Sequence, residues 1–212
     1  MTNRIPFATA VLHQAAARCL AYPDQDLYAD LELLRTALGH SSALAPFLDH
    51  LAVTPPEQLA AHYVQVFDFT TKHSLYLSWW TDGDTRRRGA ALLAVKRAYR
   101  ERGFEPTDEE LPDFLPTVLE FCAATREDTL LREHRAGLEL LRLALTEAGT
   151  PYAGPVAAVC ATLPGPRPAD RAQALALARS GPPREEVGLG PELPPYGHLA
   201  QLPVLSVQPG GH

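Results

Sequence analysis

Apolar residues recur at helical spacing through almost the whole chain up to residue 163, and this periodicity constrains the fold more than any other feature. Leu27, Leu31, Leu34 and Leu38 form one such stripe, and longer patterns predict helices over about 85–102 and 127–148. No segment combines alternating polarity with the turn signals of a hairpin. The sequence therefore predicts an all-α fold, a single-domain helical bundle over residues 1–163 with one core.

The amino-acid composition changes at Pro164. Ten of the chain's 20 prolines lie in its last 49 residues. Such a composition disfavours helices and favours extended or mobile chain. We therefore predict a second region over 164–212, a proline-rich and partly irregular tail, with one short alanine-rich helix over 169–179.

Charge and cysteine content restrict the function classes. The formal net charge of −6 argues against a general nucleic-acid binder, which is normally basic. The three cysteines lie far apart and form no disulfide framework or metal-ligand spacing, which suits a reducing compartment. No apolar run is long enough to cross a bilayer, and no export signal is visible at the N-terminus. We expect a cytoplasmic protein.

The motifs of common enzyme classes are absent from the sequence. It contains no G-x-S-x-G elbow, no phosphate-binding glycine loop and no H-E-x-x-H pair, and its eight histidines show no metal-ligand spacing. We therefore predict no catalytic residue and no metal site. The expectation is a binding protein rather than an enzyme.

Charged residues form two runs of opposite sign. Seven cations and the single anion Glu101 lie between residues 86 and 102, which indicates either a solvated helix face or a surface for a phosphate-bearing partner. The acidic run follows at Glu105, Asp108, Glu109, Glu110 and Asp113. Its carboxylates could favour a helix N-terminus electrostatically, or they could form a docking surface for a basic peptide.

An aromatic cluster, Tyr76, Trp79 and Trp80, precedes both charged runs. Local sequence there fits an extended loop or an irregular helix start equally well. The rings could pack against the bundle, because aromatic side chains bury large areas. They could instead line a groove for an apolar helix of a partner.

Taken as one string, these segments carry a family resemblance. Y-V-Q-V-F-D-F at 63–69 leads into H-S-L-Y-L at 73–77, then D-G-D-T-R-R-R-G at 82–89 and E-L-P-D-F-L-P at 110–116. This string resembles the nitrate reductase molybdenum-cofactor assembly chaperones, NarJ-like proteins within the wider TorD/DmsD group. The resemblance is close from Leu59 to Cys122. It is unspecific over residues 6–58 and 123–162, and it is absent from the tail.

The resemblance implies a helical chaperone for the catalytic (α) subunit of a respiratory nitrate reductase. Such a chaperone binds the subunit's N-terminal segment and holds the apo form for insertion of a bis-guanine-dinucleotide molybdenum cofactor before membrane attachment. It catalyses nothing and holds no cofactor tightly. Two alternatives stay open: a maturation chaperone for another molybdoenzyme, and a helical regulatory module that binds nucleic acid through its basic face.

We predict that the client peptide lies in a groove as a helix. The groove would be lined by Phe67, Leu75, Tyr76, Leu77 and Trp80. The peptide's basic flank would meet Asp108, Glu109, Glu110 and Asp113.

The remaining motif residues could serve the fold instead, for example through an ion pair that fixes the loop at 68–84. These residues are Tyr63, Asp68, Ser74, Gly83, Asp84, Arg86, Arg88 and Gly89. Relatives in the wider group often have histidine after the aspartate that corresponds to Asp113, whereas this chain has Phe114. That difference makes a nucleotide contact at this position doubtful.

Overall fold

The computed structural model describes residues 4–39, 43–83, 85–107 and 109–179. These ranges contain no β-strand, which confirms the predicted all-α fold. A 3₁₀ turn spans Thr71–His73. The helices are α1 (Phe7–Leu20), α2 (Gln25–Ala29), α3 (Leu31–Leu38), α4 (Ala45–Val53), α5 (Pro56–Phe67), α6 (Leu77–Asp82), α7 (Arg86–Glu101), α8 (Leu115–Thr125), α9 (Thr129–Glu133), α10 (Arg135–Glu147), α11 (Ala153–Thr162) and α12 (Arg171–Arg179).

The core forms where α1 packs against α8 and α11. Ala15, Ala16 and Ala17 are all buried on α1, and such small side chains allow neighbouring helices to approach closely. Leu119 on α8 and Val159 on α11 are fully buried. Helix α10 lies beside this core and contacts α11, α12, α6 and the 3₁₀ turn. It therefore links the core to the segment that carries the aromatic cluster.

Two helices that the periodicity predicts as continuous are broken in the structure. The first break is at Asp30, between α2 and α3, where the Asp30 carboxylate accepts a hydrogen bond from Arg18 Nε at 3.1 Å. Asp24 caps α2 by accepting from the Leu27 N–H and also binds Arg18. The second break is at His134, between α9 and α10. Apolar periodicity continues through both breaks, so it could not reveal them.

The acidic run does not open a helix. Helix α8 begins at Leu115, after the whole run, and Phe114 is its N-cap residue. Pro112 explains the delay in part, because the residue before a proline is pushed out of the α region. The explanation that the carboxylates favour a helix N-terminus is therefore wrong for Glu109 and Glu110.

Residues 164–179 are held to the bundle by arginine side chains from α10. Arg135 donates hydrogen bonds to the carbonyl oxygens of Gly165 and Pro166, and Arg142 donates to that of Pro168. Between these arginines lies the fully buried Glu139, whose carboxylate accepts from Arg142 Nε at 2.6 Å. Helix α12 lies within the predicted 169–179 segment and packs on α10. The boundary at 163/164 stays a prediction, and residues 180–212 lie outside the described ranges.

Candidate functional site

The segment that follows α5 is irregular, and its two tryptophans differ in burial. Trp80 on α6 packs against Gly137 of α10, where an added Cβ would approach the Trp80 Cβ to 2.7 Å. Its indole Nε1–H donates to the Ser74 carbonyl at 2.9 Å, and the residue is only 5% exposed. Trp79 is half-buried on the outer side of α6. Gly137, in the first turn of α10, thus leaves the space that Trp80 fills in the core.

Residues 109–114, which we call the wall segment, lie against both α6 and α7. The Asp113 carboxylate accepts hydrogen bonds from the Ser78 N–H at 2.9 Å and the Ser78 hydroxyl at 2.5 Å. The Leu77 N–H donates to the Asp113 carbonyl at 3.0 Å. The Tyr99 hydroxyl on α7 donates to the Pro112 carbonyl at 2.7 Å. These contacts hold a chain segment without regular structure in one position.

Arg88 joins this network from the first turns of α7. Its Nε–H donates to the Ser78 hydroxyl at 3.2 Å, and its guanidinium carbon lies 5.7 Å from the centroid of the Tyr76 ring. The Ser78 hydroxyl therefore accepts from Arg88 and donates to Asp113. The loop is fixed to α7 through these groups. The ion pair that the sequence suggested among Asp68, Asp84, Arg86 and Arg88 stays a prediction, because Asp84 lies outside the described residues.

The other motif residues that the structure describes lie on different helices and do not form one cluster. Gly83 ends α6 at φ +58°, a conformation that favours glycine. Arg86 and Gly89 are exposed on α7, and Asp84 lies outside the described residues. Tyr63 is buried and donates a hydrogen bond from its hydroxyl to the Leu20 carbonyl at 3.2 Å.

An open groove of about 520 Å³ lies between the end of α5, α6 and the wall segment. We call it the aromatic groove, because rings form most of its apolar lining. Its polar rim includes Asp68, Ser74, Arg88 and Glu110. Its apolar lining is Tyr22, Tyr63, Phe67, Leu75, Tyr76, Trp79 and Phe114.

Three of the five apolar residues predicted for a groove line this one, namely Phe67, Leu75 and Tyr76. Leu77 and Trp80 do not line it and are buried in the core, and Leu75 is itself only 4% exposed. Sequence reasoning raised Trp79 only as an alternative within the aromatic cluster and left it out of the predicted groove, and it did not name Tyr22. The signal for Trp79 is that Leu77 and Trp80 share the inward face of α6 at helical spacing, which leaves Trp79 outside.

The acidic residues predicted to bind one peptide flank are separated in the structure. Asp113 is fully buried and anchors the wall segment. Glu110 lies on the rim of the aromatic groove and accepts a hydrogen bond from the Tyr76 hydroxyl at 2.9 Å. Burial, and then this carboxylate, raise the pKa of Tyr76 to about 12. Glu109 is exposed on the other side of the wall segment, and Asp108 lies outside the described ranges.

Outside the aromatic groove, the cysteines, the possible metal ligands and the charged residues of α7 show no arrangement for catalysis or metal binding within the described residues. Burial raises the pKa of each of the Cys19, Cys122 and Cys160 thiols to about 12, so none is a reactive thiolate near neutral pH. Within the part of the chain that the structure describes, no three metal-ligating side chains cluster. Exposed ion pairs link Arg97 to Glu101 and Arg100 to Glu105, as expected for a solvated helix face.

Comparison with known proteins identifies the family. The family model described as nitrate reductase delta subunit matches residues 24–158, a range that includes α5, α6, α7 and the wall segment. The chain belongs to this family. The match covers every residue that lines the aromatic groove except Tyr22, which lies two residues before its start.

Named relatives agree with this family. The chain is 40% identical over 157 residues to the nitrate reductase-like protein NarX of Mycobacterium tuberculosis, which covers 72% of this chain and 24% of NarX. It is 38% identical over 120 residues to the probable nitrate reductase molybdenum cofactor assembly chaperone NarJ of Bacillus subtilis, covering 54% of this chain and 65% of that protein. It is 32% identical over 115 residues to the NarJ chaperone of Escherichia coli, covering 50% and 49%.

A solved structure shows the same fold. The chain superposes with a TM-score of 0.59 on a protein from Archaeoglobus fulgidus described as a redox enzyme maturation protein, at 21% identity, covering 72% of this chain and 91% of that one. Among the described residues, no helix has the length and apolar character needed to span a membrane. This family member is thus related in sequence to NarJ-like assembly chaperones and in fold to a maturation protein.

Proposed function

We propose that this chain is an assembly chaperone for the catalytic subunit of a nitrate reductase. It binds the N-terminal segment of the apo subunit in the cytoplasm and holds the subunit for insertion of a bis-guanine-dinucleotide molybdenum cofactor before membrane attachment. The chain acts by binding and not by catalysis, and the cofactor is cargo for the client. Family membership and the NarJ-like relatives support the class of function.

The observation that carries the binding mechanism is the aromatic groove. Its lining includes Tyr22, which is 54% exposed, and the half-buried rings of Phe67, Tyr76, Trp79 and Phe114. Tyr63 and Leu75, which also line it, are buried. A groove of this kind suits the apolar face of an amphipathic helix. Trp79 and Phe67 offer large contact areas at small entropic cost, as is typical of residues that dominate binding energy.

The rim of the groove indicates the charge of the bound segment. Asp68 is exposed at the end of α5, and Glu110 is exposed on the wall segment. Arg88 lies at the same rim, but its Nε–H is hydrogen-bonded to Ser78. A client helix with a basic residue beside its apolar face would place that residue near the two carboxylates.

Calorimetry with a peptide from the N-terminus of the same organism's nitrate reductase catalytic subunit tests the proposal. We expect micromolar or tighter binding to the full chain. Trp79→Ala should weaken it at least about tenfold, because an aromatic anchor is lost. Unchanged affinity for Trp79→Ala would exclude the aromatic groove as the site, and no binding by the native chain would contradict the function.

Two control variants separate binding from folding. Phe69→Ala removes an aromatic ring that is 82% exposed and lies next to the groove without lining it, so affinity should not change. Trp80→Phe should lower the free energy of unfolding, because the Ser74 hydrogen bond is lost, while a folded sample keeps its affinity. An equal loss of affinity in Phe69→Ala and Trp79→Ala would indicate non-specific contact with exposed rings.

A further inference from the structure

A second depression lies on the opposite side of the wall segment from the aromatic groove. It has a volume of about 430 Å³ and is bounded by one stripe of α7 and by residues 109–112. We call it the leucine groove. The α7 stripe has the spacing i, i+3, i+4, i+7 of a single helix face. Its members are Gly89, Leu92, Leu93 and Lys96.

Both sides of the leucine groove expose leucine side chains to solvent. Leu93 on α7 is 68% exposed, and Leu111 on the wall segment is 39% exposed. Neither is needed for the packing of α7, because Val95 and Tyr99 supply its buried residues. Gly89 has no atom within 4 Å of an added Cβ, so the groove is open at that end. Apolar side chains that face each other across an open depression are typical of a docking site.

Glu110 joins the two grooves, because it lines both. Its carboxylate is held in place at the crest of the wall segment, where it accepts hydrogen bonds from the Tyr76 hydroxyl at 2.9 Å and the Leu111 N–H at 2.8 Å. Glu109 lies beside it on the side of the leucine groove. A chain leaving the aromatic groove in this direction would pass two carboxylates and then reach exposed leucines.

We propose that the leucine groove is a second subsite for the same client segment. The subsite takes an apolar side chain that follows a basic residue, and the basic residue meets Glu109 and Glu110 at the crest. This inference rests on the proposed function and adds to it the length and composition of the bound segment. The segment must extend beyond the part that fills the aromatic groove, and it must carry apolar side chains on both sides of its basic residue.

Continuity with the aromatic groove and charge complementarity at the crest favour a client segment over a second copy of this chain. Two subsites on the same wall segment also lower the entropic cost of binding a long client segment. When the first part of a segment is bound, the second part binds without a further loss of overall translational freedom. Affinity should therefore rise with segment length until both grooves are filled.

The test compares two client peptides on three full-length proteins. One peptide carries only the part of the segment that binds the aromatic groove, as mapped by truncation, and the other continues past the basic residue. In Leu93→Ser/Leu111→Ser, we expect affinity for the long peptide to fall at least about fivefold and affinity for the short peptide to stay unchanged. Leu33→Ser, which changes a leucine that is 66% exposed on α3, should alter neither.

The outcomes distinguish this inference from the proposed function. If both peptides bind and the double variant binds the long one as tightly as the native chain does, the subsite is contradicted while the function stands. If neither peptide binds the native chain, both proposals fail. If the native chain sediments as a dimer and the double variant as a monomer, with equal peptide affinities, the groove serves self-association and the client subsite is wrong.

Discussion

The core side of the molecule and its groove side are stabilised by different interactions. On the core side, α1, α8 and α11 bury apolar and small side chains, so stability there comes mainly from removing apolar area from water. On the groove side, hydrogen bonds between residues far apart in sequence hold the wall segment in place, and Ser78 and Asp113 are the centre of that network. Apolar side chains there partly face solvent instead.

This difference shows how a binding surface can expose apolar groups without collapsing. A segment fixed by apolar burial would have to turn its rings inward. The wall segment is fixed by the Asp113 carboxylate and by the hydrogen bond from Tyr99 to Pro112, so its other side chains are free to line grooves. Stability and binding should therefore respond differently to substitutions on the two sides.

The largest expected effect on stability is in the core. Leu119→Ala removes a fully buried side chain on α8 and should lower the free energy of unfolding by about 3 kcal/mol, because it leaves a cavity. Urea unfolding measures this loss. Client-peptide affinity, measured where the variant is still folded, should not change.

A matched control lies on the same helix. Ala124→Ser changes an exposed position of α8 and should alter stability by less than about 0.5 kcal/mol. If Leu119→Ala weakened peptide binding in a fully folded sample, the two sides would be coupled, and the comparison would not hold.

The second prediction concerns the groove side. Asp113→Ala leaves the Ser78 N–H and hydroxyl without their acceptor and should cost about 2 kcal/mol of stability. Unlike the core variant, it should also weaken peptide binding, because the wall segment borders both grooves. Urea unfolding and calorimetry on the same samples measure the two effects.

Two further variants sharpen this result. Asp113→Asn keeps one acceptor oxygen and should recover part of both losses. Glu109→Ala removes an exposed carboxylate of the same segment and should leave stability nearly unchanged. Native affinity in a folded Asp113→Ala sample would show that the wall segment is not required for binding.

The sequence was sufficient to predict the core side but only part of the groove side. Apolar periodicity is a local property, so a stripe such as the one on α8 identifies its own buried face. The space that Trp80 fills in the core depends instead on Gly137, which lies on a helix more than fifty residues further along the chain. No local pattern in the aromatic cluster contains that information.

The acidic run illustrates the same limit. Glu109, Glu110 and Asp113 have similar chemistry and lie within five residues, yet the structure gives them three different surroundings. Only the hydrogen bonds from Ser78, 35 residues away, set Asp113 apart. Long-range polar contacts of this kind leave no periodic signal. The resemblance identified segments that line the aromatic groove, but it could not assign the individual side chains.

The smallest predicted effect tests a polar group inside the core side itself. His13 on α1 is fully buried, and its Nε2 lies 2.9 Å from the Thr162 hydroxyl, which itself donates to the Val159 carbonyl. The ring must therefore donate from Nε2, as a neutral imidazole does. Burial lowers the pKa of His13 from 6.5 to about 4, and the nearby Asp128 offsets this only in part.

The direction of the pH effect follows from proton binding. Below pH 6.5 the unfolded chain binds a proton at His13 that the folded chain excludes until about pH 4, so stability falls as the pH drops through this window. The contribution of His13 should make the protein about 1 kcal/mol less stable at pH 5.5 than at pH 7. His13→Gln lacks the titrating ring and should lose that part of the pH dependence in urea unfolding. Equal pH profiles for the two proteins would mean that His13 becomes protonated in the folded state, and the core side would then tolerate a buried charge.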